Sequence, residues 1–197
     1  MPFRRSCLAL LIVATLLSSS PAIAGWKLVP ANQPADLIGM QVTPQVDWNQ
    51  SSLRPGKLGR AWTRDGFELN GLEFFAAVPN GQPLYRERSK KNNPMPKFES
   101  SILLPELADF FERSFRVQNQ LSDFSVVESG PVTFGGHPGL RLRYRYTRPN
   151  DDLVRLGEAR LAVVGEKLYV ANFYAPELHY FPTGLVEATA TMDSARF

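Results

Sequence analysis

The residues whose types and spacing bear most directly on chemistry lie between Phe134 and Thr147, FGGHPGLRLRYRYT, where Arg141, Arg143 and Arg145 alternate with Leu140, Leu142, Tyr144 and Tyr146. At strand periodicity the three guanidinium groups project from one sheet face, next neighbours about 6.5 to 7 Å apart, and Arg160 reaches the same face from the following strand. A row of this kind suits a partner rich in phosphate or carboxylate. It equally suits the wet face of an antiparallel sheet, with Glu158 beside Arg160 to form cross-strand ion pairs. The solvated face is the simpler expectation, and the four arginines remain the candidate anion or partner surface.

Other chemistry finds little support. Neither His137 nor His179 has a partner three or four residues away that would make a zinc pair on a helix. No G-x-S-x-G motif occurs, and the single cysteine, Cys7, lies near the start of the chain. Asp65, Glu68, Glu73, Asp151, Asp152 and Glu158 show no spacing that fixes two carboxylates across a cleft, and Asp65 and Asp151-Asp152 stand in turn sequences. GGHPG, with His137 and Pro138, reads as a turn leading into a strand, whereas a phosphate cradle leads from a strand into a helix. The aromatics, including Trp48, Trp62, Phe74, Phe75, Tyr169 and Phe173, are expected in the core. The sequence therefore predicts no cofactor, no metal site and no catalytic residues.

Location is read from the first 24 residues, MPFRRSCLALLIVATLLSSSPAIA. Arg4 and Arg5 precede an apolar run from Cys7 to Leu17, and an A-x-A pattern ends at Ala24: a cleavable Sec-type signal peptide. The run is eleven residues, short of the roughly 20 needed to span a bilayer. Cleavage after Ala24 predicts a periplasmic or secreted protein with no transmembrane segment and no thiol, held by its core and not by disulfides. Losing Arg4 and Arg5 lowers the formal charge, 22 basic against 19 acidic residues, from +3 to +1, which argues against nucleic acid as a partner.

The elements that must position these residues follow from pattern. Residues 25–39 read as a polar N-terminal arm and 40–197 as one domain, with a first strand expected over 40–48. Asp65-Gly66, Asn70-Gly71 and Asn80-Gly81 suggest a meander of short strands, and 86–100 a basic, proline-broken loop. Leu107, Phe110, Phe111, Ser114, Val117 and Leu121 mark an amphipathic helix opened by Pro105-Glu106. Strands are expected at 124–128, 131–134, 140–147, 154–164 and 168–175, with a last helix opened by Pro182. Few helices among many strands give an α+β domain, an antiparallel sheet with helices packed on it.

The final third resembles the PsbP-like superfamily of α/β/α sandwiches. That group includes extrinsic subunits of photosystem II and small secreted bacterial proteins. The resemblance is carried by LRLRYRYT, VRLGEARLAVVG, Leu168-Tyr169, Phe173-Tyr174-Ala175, Phe181 and Ser194 to Phe197. Asp47 to Gln50, Trp62 to Gly66 and the PELADFF helix are similar to a proteobacterial envelope family of unknown function. The resemblance implies a non-enzymatic binding or assembly module and transfers no functional residue. The expected function is a non-catalytic module that binds an envelope protein or small ligand through one sheet face or the basic loop 86–97. The alternatives are a hydrolase with a cryptic His/Asp site and a carrier of a small apolar ligand.

Overall fold

The computed structural model describes residues 25–89 and 91–197, so the expected signal peptide lies outside the described residues. In chain order the elements are β1 (Trp26–Val29), β2 (Ala35–Asp36), β3 (Gln41–Val42), β4 (Trp48–Ser51), β5 (Gly59–Thr63), β6 (Gly71–Pro79), α1 (Leu107–Asn119), β7 (Phe124–Phe134), β8 (His137–Tyr146), β9 (Arg155–Val164), β10 (Lys167–Pro176) and α2 (Tyr180–Asp193). Eight strands form one antiparallel sheet in the order β1-β4-β5-β6-β10-β9-β8-β7, and β2 pairs only with β3. This is the expected α+β architecture, with α1 packed on β7 and β8 and α2 on β10 and β9.

The helices lie on opposite faces. Under α1, Leu107, Phe110, Phe111 and Phe115 meet Tyr144, Tyr146, Leu161 and Val170. Under α2, Phe181, Ala188 and Met192 meet Trp48, Trp62, Phe74, Ala171 and Phe173. Because β9 and β10 are covered on both sides, they are buried along nearly their whole length. Of the stripe expected for α1 it buries Leu107, Phe110, Phe111 and Ser114, Phe115 joins them, Val117 is half-buried, and Leu121 is buried beyond the helix end.

Several boundaries differ from the sequence expectation. Residues 26–29, read as part of a polar arm, form edge strand β1, paired with β4 from Trp26 opposite Ser51 to Val29 opposite Trp48. Of the strand expected over 40–48, only β3 (Gln41–Val42) and Trp48, the first residue of β4, are strand, because Leu37, Met40 and Val42 fold down onto the α2 face and are buried there. The meander expected around residues 65–71 is a single loop between β5 and β6. Its turns are held by the Asn70 side chain, whose Oδ1 accepts from Thr63 Oγ1 and Arg64 N, both at 2.8 Å. The two short strands expected over 124–134 are one 11-residue strand, because a bulge at Val127 lets pairing with β8 resume. His137 and Pro138, expected in a turn, already belong to β8. The turn itself is Gly135-Gly136, both at positive φ (61° and 88°), which gives the twist a two-residue hairpin needs.

Two strand glycines have a different cause. The Tyr144 ring lies where a Cβ on Gly157 would stand, and the Tyr174 ring lies likewise over Gly71. Each glycine is a seat for a neighbouring aromatic. Gly157→Ala is expected to destabilise the protein by about 1–3 kcal/mol through overpacking. Gly130→Ala, where no atom lies within 4 Å of the new methyl, should change little. Urea unfolding of the two variants checks this, and equal midpoints would refute the close-packed seat.

Candidate functional site

The arginine row projects from the α2 face of the sheet, beyond the strands that α2 covers. In register Arg141 stands opposite Arg160, Arg143 opposite Glu158 and Arg145 opposite Leu156. Two like charges directly opposed are unfavourable unless acids intervene, and three do. Arg141 pairs with Glu128. Arg143 Nε donates to Glu158 Oε2 at 2.9 Å and lies 4.0 Å from Glu128. Arg160, buried at the edge of α2, lies 3.6 Å from Glu158 and pairs with Asp193 near the helix end. The chain Arg141–Glu128–Arg143–Glu158–Arg160–Asp193 alternates in sign and balances three cations against three anions. Arg145 is exposed, and among the described residues it forms no ion pair. The structure thus brings Arg141, Arg143 and Arg160 together but neutralises them, and leaves Arg145 apart.

The histidines are placed differently. His137 stacks on the C-terminal Phe197, ring centroids 5.7 Å apart, and Phe197 in turn stacks on Tyr169 at 4.0 Å. His179 sits just before α2 at φ 60°, ψ −62°, the centre of a γ-turn closed by Tyr180 N donating to Leu178 O at 2.7 Å. It lines a hollow of about 320 Å³ with Asp65 and Glu187. Both acids are engaged: Asp65 accepts from Asn70 Nδ2 at 2.5 Å, and Glu187 pairs with Arg64.

A buried polar chain that the sequence pattern did not mark runs beneath α1. Glu73 Oε2 accepts from Tyr85 Oη at 2.9 Å and from Asn172 Nδ2 at 3.2 Å, and Tyr144 Oη donates to Asn172 Oδ1 at 2.7 Å. Burial pushes the Glu73 carboxyl up to about 7, against the two hydrogen bonds that lower it. Burial also holds the hydroxyls of Tyr85, Tyr144 and Tyr174 well above their ordinary range, so they act as neutral donors and acceptors. The sequence signal was faint: Glu73 lies in GLEFFAAV with apolar residues on both sides.

Tyr85 connects this chain to the surface. It is itself buried, and it lies at the base of a cleft of about 580 Å³ walled by residues 54–58 and 79–87. The two walls are locked together: Arg86 N donates to Pro55 O at 2.8 Å, and a Cβ on Gly56 would overlap Leu84 O. Arg54, Lys57 and Arg86 line the cleft, with Glu87 their one acidic neighbour there, and Leu58, Pro79 and Pro83 supply apolar walls. Among the described residues none of Arg54, Lys57 and Arg86 forms an ion pair.

A second cleft, of about 840 Å³, shares Glu87 with the first, and its lining carries Glu87, Glu99, Glu106 and Asp109 against Lys97 and Arg113. That lining is net acidic, and two of its charges have local work: Glu106 accepts from Leu103 N at 2.9 Å, and Arg113 Nε donates to the backbone O of Asp109 at 3.3 Å. The cleft beside Tyr85 is therefore the candidate site. It offers a preformed, basic-rimmed concavity for an anionic group, and among the described residues no cluster of histidine and carboxylate side chains suits a metal.

Because Glu73 titrates near 7 when folded and near 4.5 otherwise, its proton favours the fold. That contribution is fully present below about 4.5 and is lost as pH rises through 7, on the order of 3 kcal/mol across the window. Glu73→Gln, which keeps an acceptor for Tyr85, is expected to abolish this fall. Urea midpoints between pH 4.5 and pH 8 measure it, and an unchanged slope in the variant would assign the titration elsewhere.

No family model matches the sequence, and no curated protein matches it. Solved structures do. Cyanobacterial PsbP from Synechocystis sp. PCC 6803 superposes with a TM-score of 0.54 at 13% identity, over 91% of this chain and 98% of that one. A Bacteroides thetaiotaomicron protein gives 0.49 at 8% identity, covering 84% of this chain and 48% of its own. LpqN, involved in cell envelope biogenesis of Mycobacterium tuberculosis, gives 0.36 at 12% identity over 87% and 90%. The chain shares a PsbP-like fold, and no helix among the described residues is long and apolar enough to cross a membrane.

Proposed function

We propose that the protein is exported through a Sec-type signal peptide and acts in the periplasm as a non-catalytic module that binds an anionic component of the envelope at the cleft beside Tyr85. The observation that carries this reading is the charge distribution: Arg54, Lys57 and Arg86 stand unpaired around one concavity, whereas three of the four arginines expected to form an anion surface are neutralised by Glu128, Glu158 and Asp193. The rigid frame of the cleft fits binding without rearrangement, since its two walls are joined through backbone atoms. A hydrolytic reading would centre on His179, and there Asp65 and Glu187 are already held by Asn70 and Arg64.

Export makes a direct prediction. Protein recovered from the periplasm of its own cells should begin at Gly25 by intact mass, and a mass retaining residues 1–24 would refute cleavage after Ala24. Binding makes another. In-cell crosslinking of tagged protein should give an adduct that Arg54→Glu combined with Arg86→Glu removes and that Arg145→Glu leaves intact. The opposite pattern would return the site to the arginine row.

A further inference from the structure

The cleft beside Tyr85 has two chemical zones. Arg54 and Lys57 reach it from one wall and Arg86 from the other, all three exposed, so the rim is cationic. Below them lie Leu58, Pro83 and Tyr85. The Tyr85 hydroxyl turns inward to Glu73, and the ring packs edge-on against Phe75 with centroids 5.0 Å apart, so its polar atom is withdrawn from the cleft. Leu53, 78% exposed, immediately precedes Arg54 and extends apolar surface beside the rim. A volume of about 580 Å³ falls within the range of small-molecule sites. A small inorganic anion would use the rim and leave the floor unfilled. A long polyanion would run past the neighbouring cleft and meet Glu99, Glu106 and Asp109.

We infer that the cleft takes an amphiphile with a single anionic head, phosphate or carboxylate, held by Arg54, Lys57 and Arg86, and an apolar body lying on Leu58, Pro83 and Tyr85. This inference rests on the reading of the cleft as the binding site and adds the class of ligand. Charge-assisted bonds from the guanidinium groups fix the head, and burial of the body supplies affinity that grows with chain length.

The test is titration of the purified protein with decyl phosphate below its micelle concentration, followed by amide resonances. Inorganic phosphate and decyl maltoside serve as the head-only and chain-only comparators. The expected result is saturable shifts confined to residues 53–60 and 79–87, at least tenfold tighter than for either comparator. Binding should weaken at least tenfold in Arg54→Glu/Arg86→Glu protein whose thermal transition matches the parent's. Equal binding of inorganic phosphate, equal binding of decyl maltoside, or shifts centred on Arg141 to Arg145 would each overturn the inference. Vesicles of phosphatidylcholine with and without phosphatidylglycerol distinguish the source. Sedimentation with the anionic vesicles that needs Arg54 and Arg86, together with decyl phosphate binding, makes the head a lipid's, and decyl phosphate binding without sedimentation makes it a free amphiphile's. Sedimentation without decyl phosphate binding is surface adsorption and overturns it. If no amphiphile binds while the Arg54- and Arg86-dependent crosslink persists, the ligand class is wrong and the proposed function stands.

Discussion

Two helices cannot cover eight strands, and much of the structure follows from that shortfall. At about 4.8 Å per strand the sheet is roughly 34 Å wide, whereas a helix with its side chains covers about 10 Å. On one face α2 shelters β9 and β10, and residues 35–43 extend the cover over the Trp48, Trp62 and Phe74 side chains. That extension is pinned to the chain end by the paired backbone bonds between Gln41 and Arg196, each 2.9 Å. Beyond Phe134 and Val132, which join that core, the α2 face of β8 carries Arg141, Arg143 and Arg145, and the arginines that meet Arg160 at the boundary are separated by Glu128, Glu158 and Asp193. The arginine row is a consequence of where cover ends.

On the opposite face the core under α1 is not wholly apolar. Tyr144 and Tyr174 lie over Gly157 and Gly71, and this close seating brings the hydroxyl of Tyr144 within 2.7 Å of Asn172 Oδ1. Glu73 is the acceptor at the end of that chain, and it stays buried because Tyr85 and Asn172 both donate to it. A buried carboxyl of this kind is costly when charged, and holding it also fixes Tyr85, the base of the cleft. The interior and the candidate site are thus joined through one residue.

The cleft owes its character to the same geometry. Leu84, Tyr85, Met95 and Phe98 join the α1-face core from chain outside the helices and strands, anchored by bonds such as Phe98 N to Gln82 O at 2.9 Å and Arg86 N to Pro55 O at 2.8 Å. Loops carry function when a rigid scaffold holds them. Here that holding leaves Arg54, Lys57 and Arg86 facing one concavity with Glu87 as their one acidic neighbour there, while the adjacent cleft is lined by Glu87, Glu99, Glu106 and Asp109 against Lys97 and Arg113.

By itself the sequence determined what depends on periodicity and turn chemistry. The alternation of Leu140, Leu142, Tyr144 and Tyr146 with arginines set the two faces of β8, the spacing of Leu107, Phe110, Phe111 and Ser114 set the buried stripe of α1, and Gly135-Gly136 set a hairpin. These signals are local, since one strand or helix carries its own pattern of buried positions. Only the tertiary structure decided which charges meet. Arg160 and Asp193, or Glu73 and Asn172, find one another through the strand order β6-β10-β9 and the packing of α2, and Arg54 comes beside Arg86 through a contact between Gly56 and Leu84 that no short-range pattern records. The row conspicuous in the sequence was therefore neutralised by distant acids, and the unpaired cations came from segments unremarkable on their own, because neutralisation depends on distance in the fold and not on spacing along the chain.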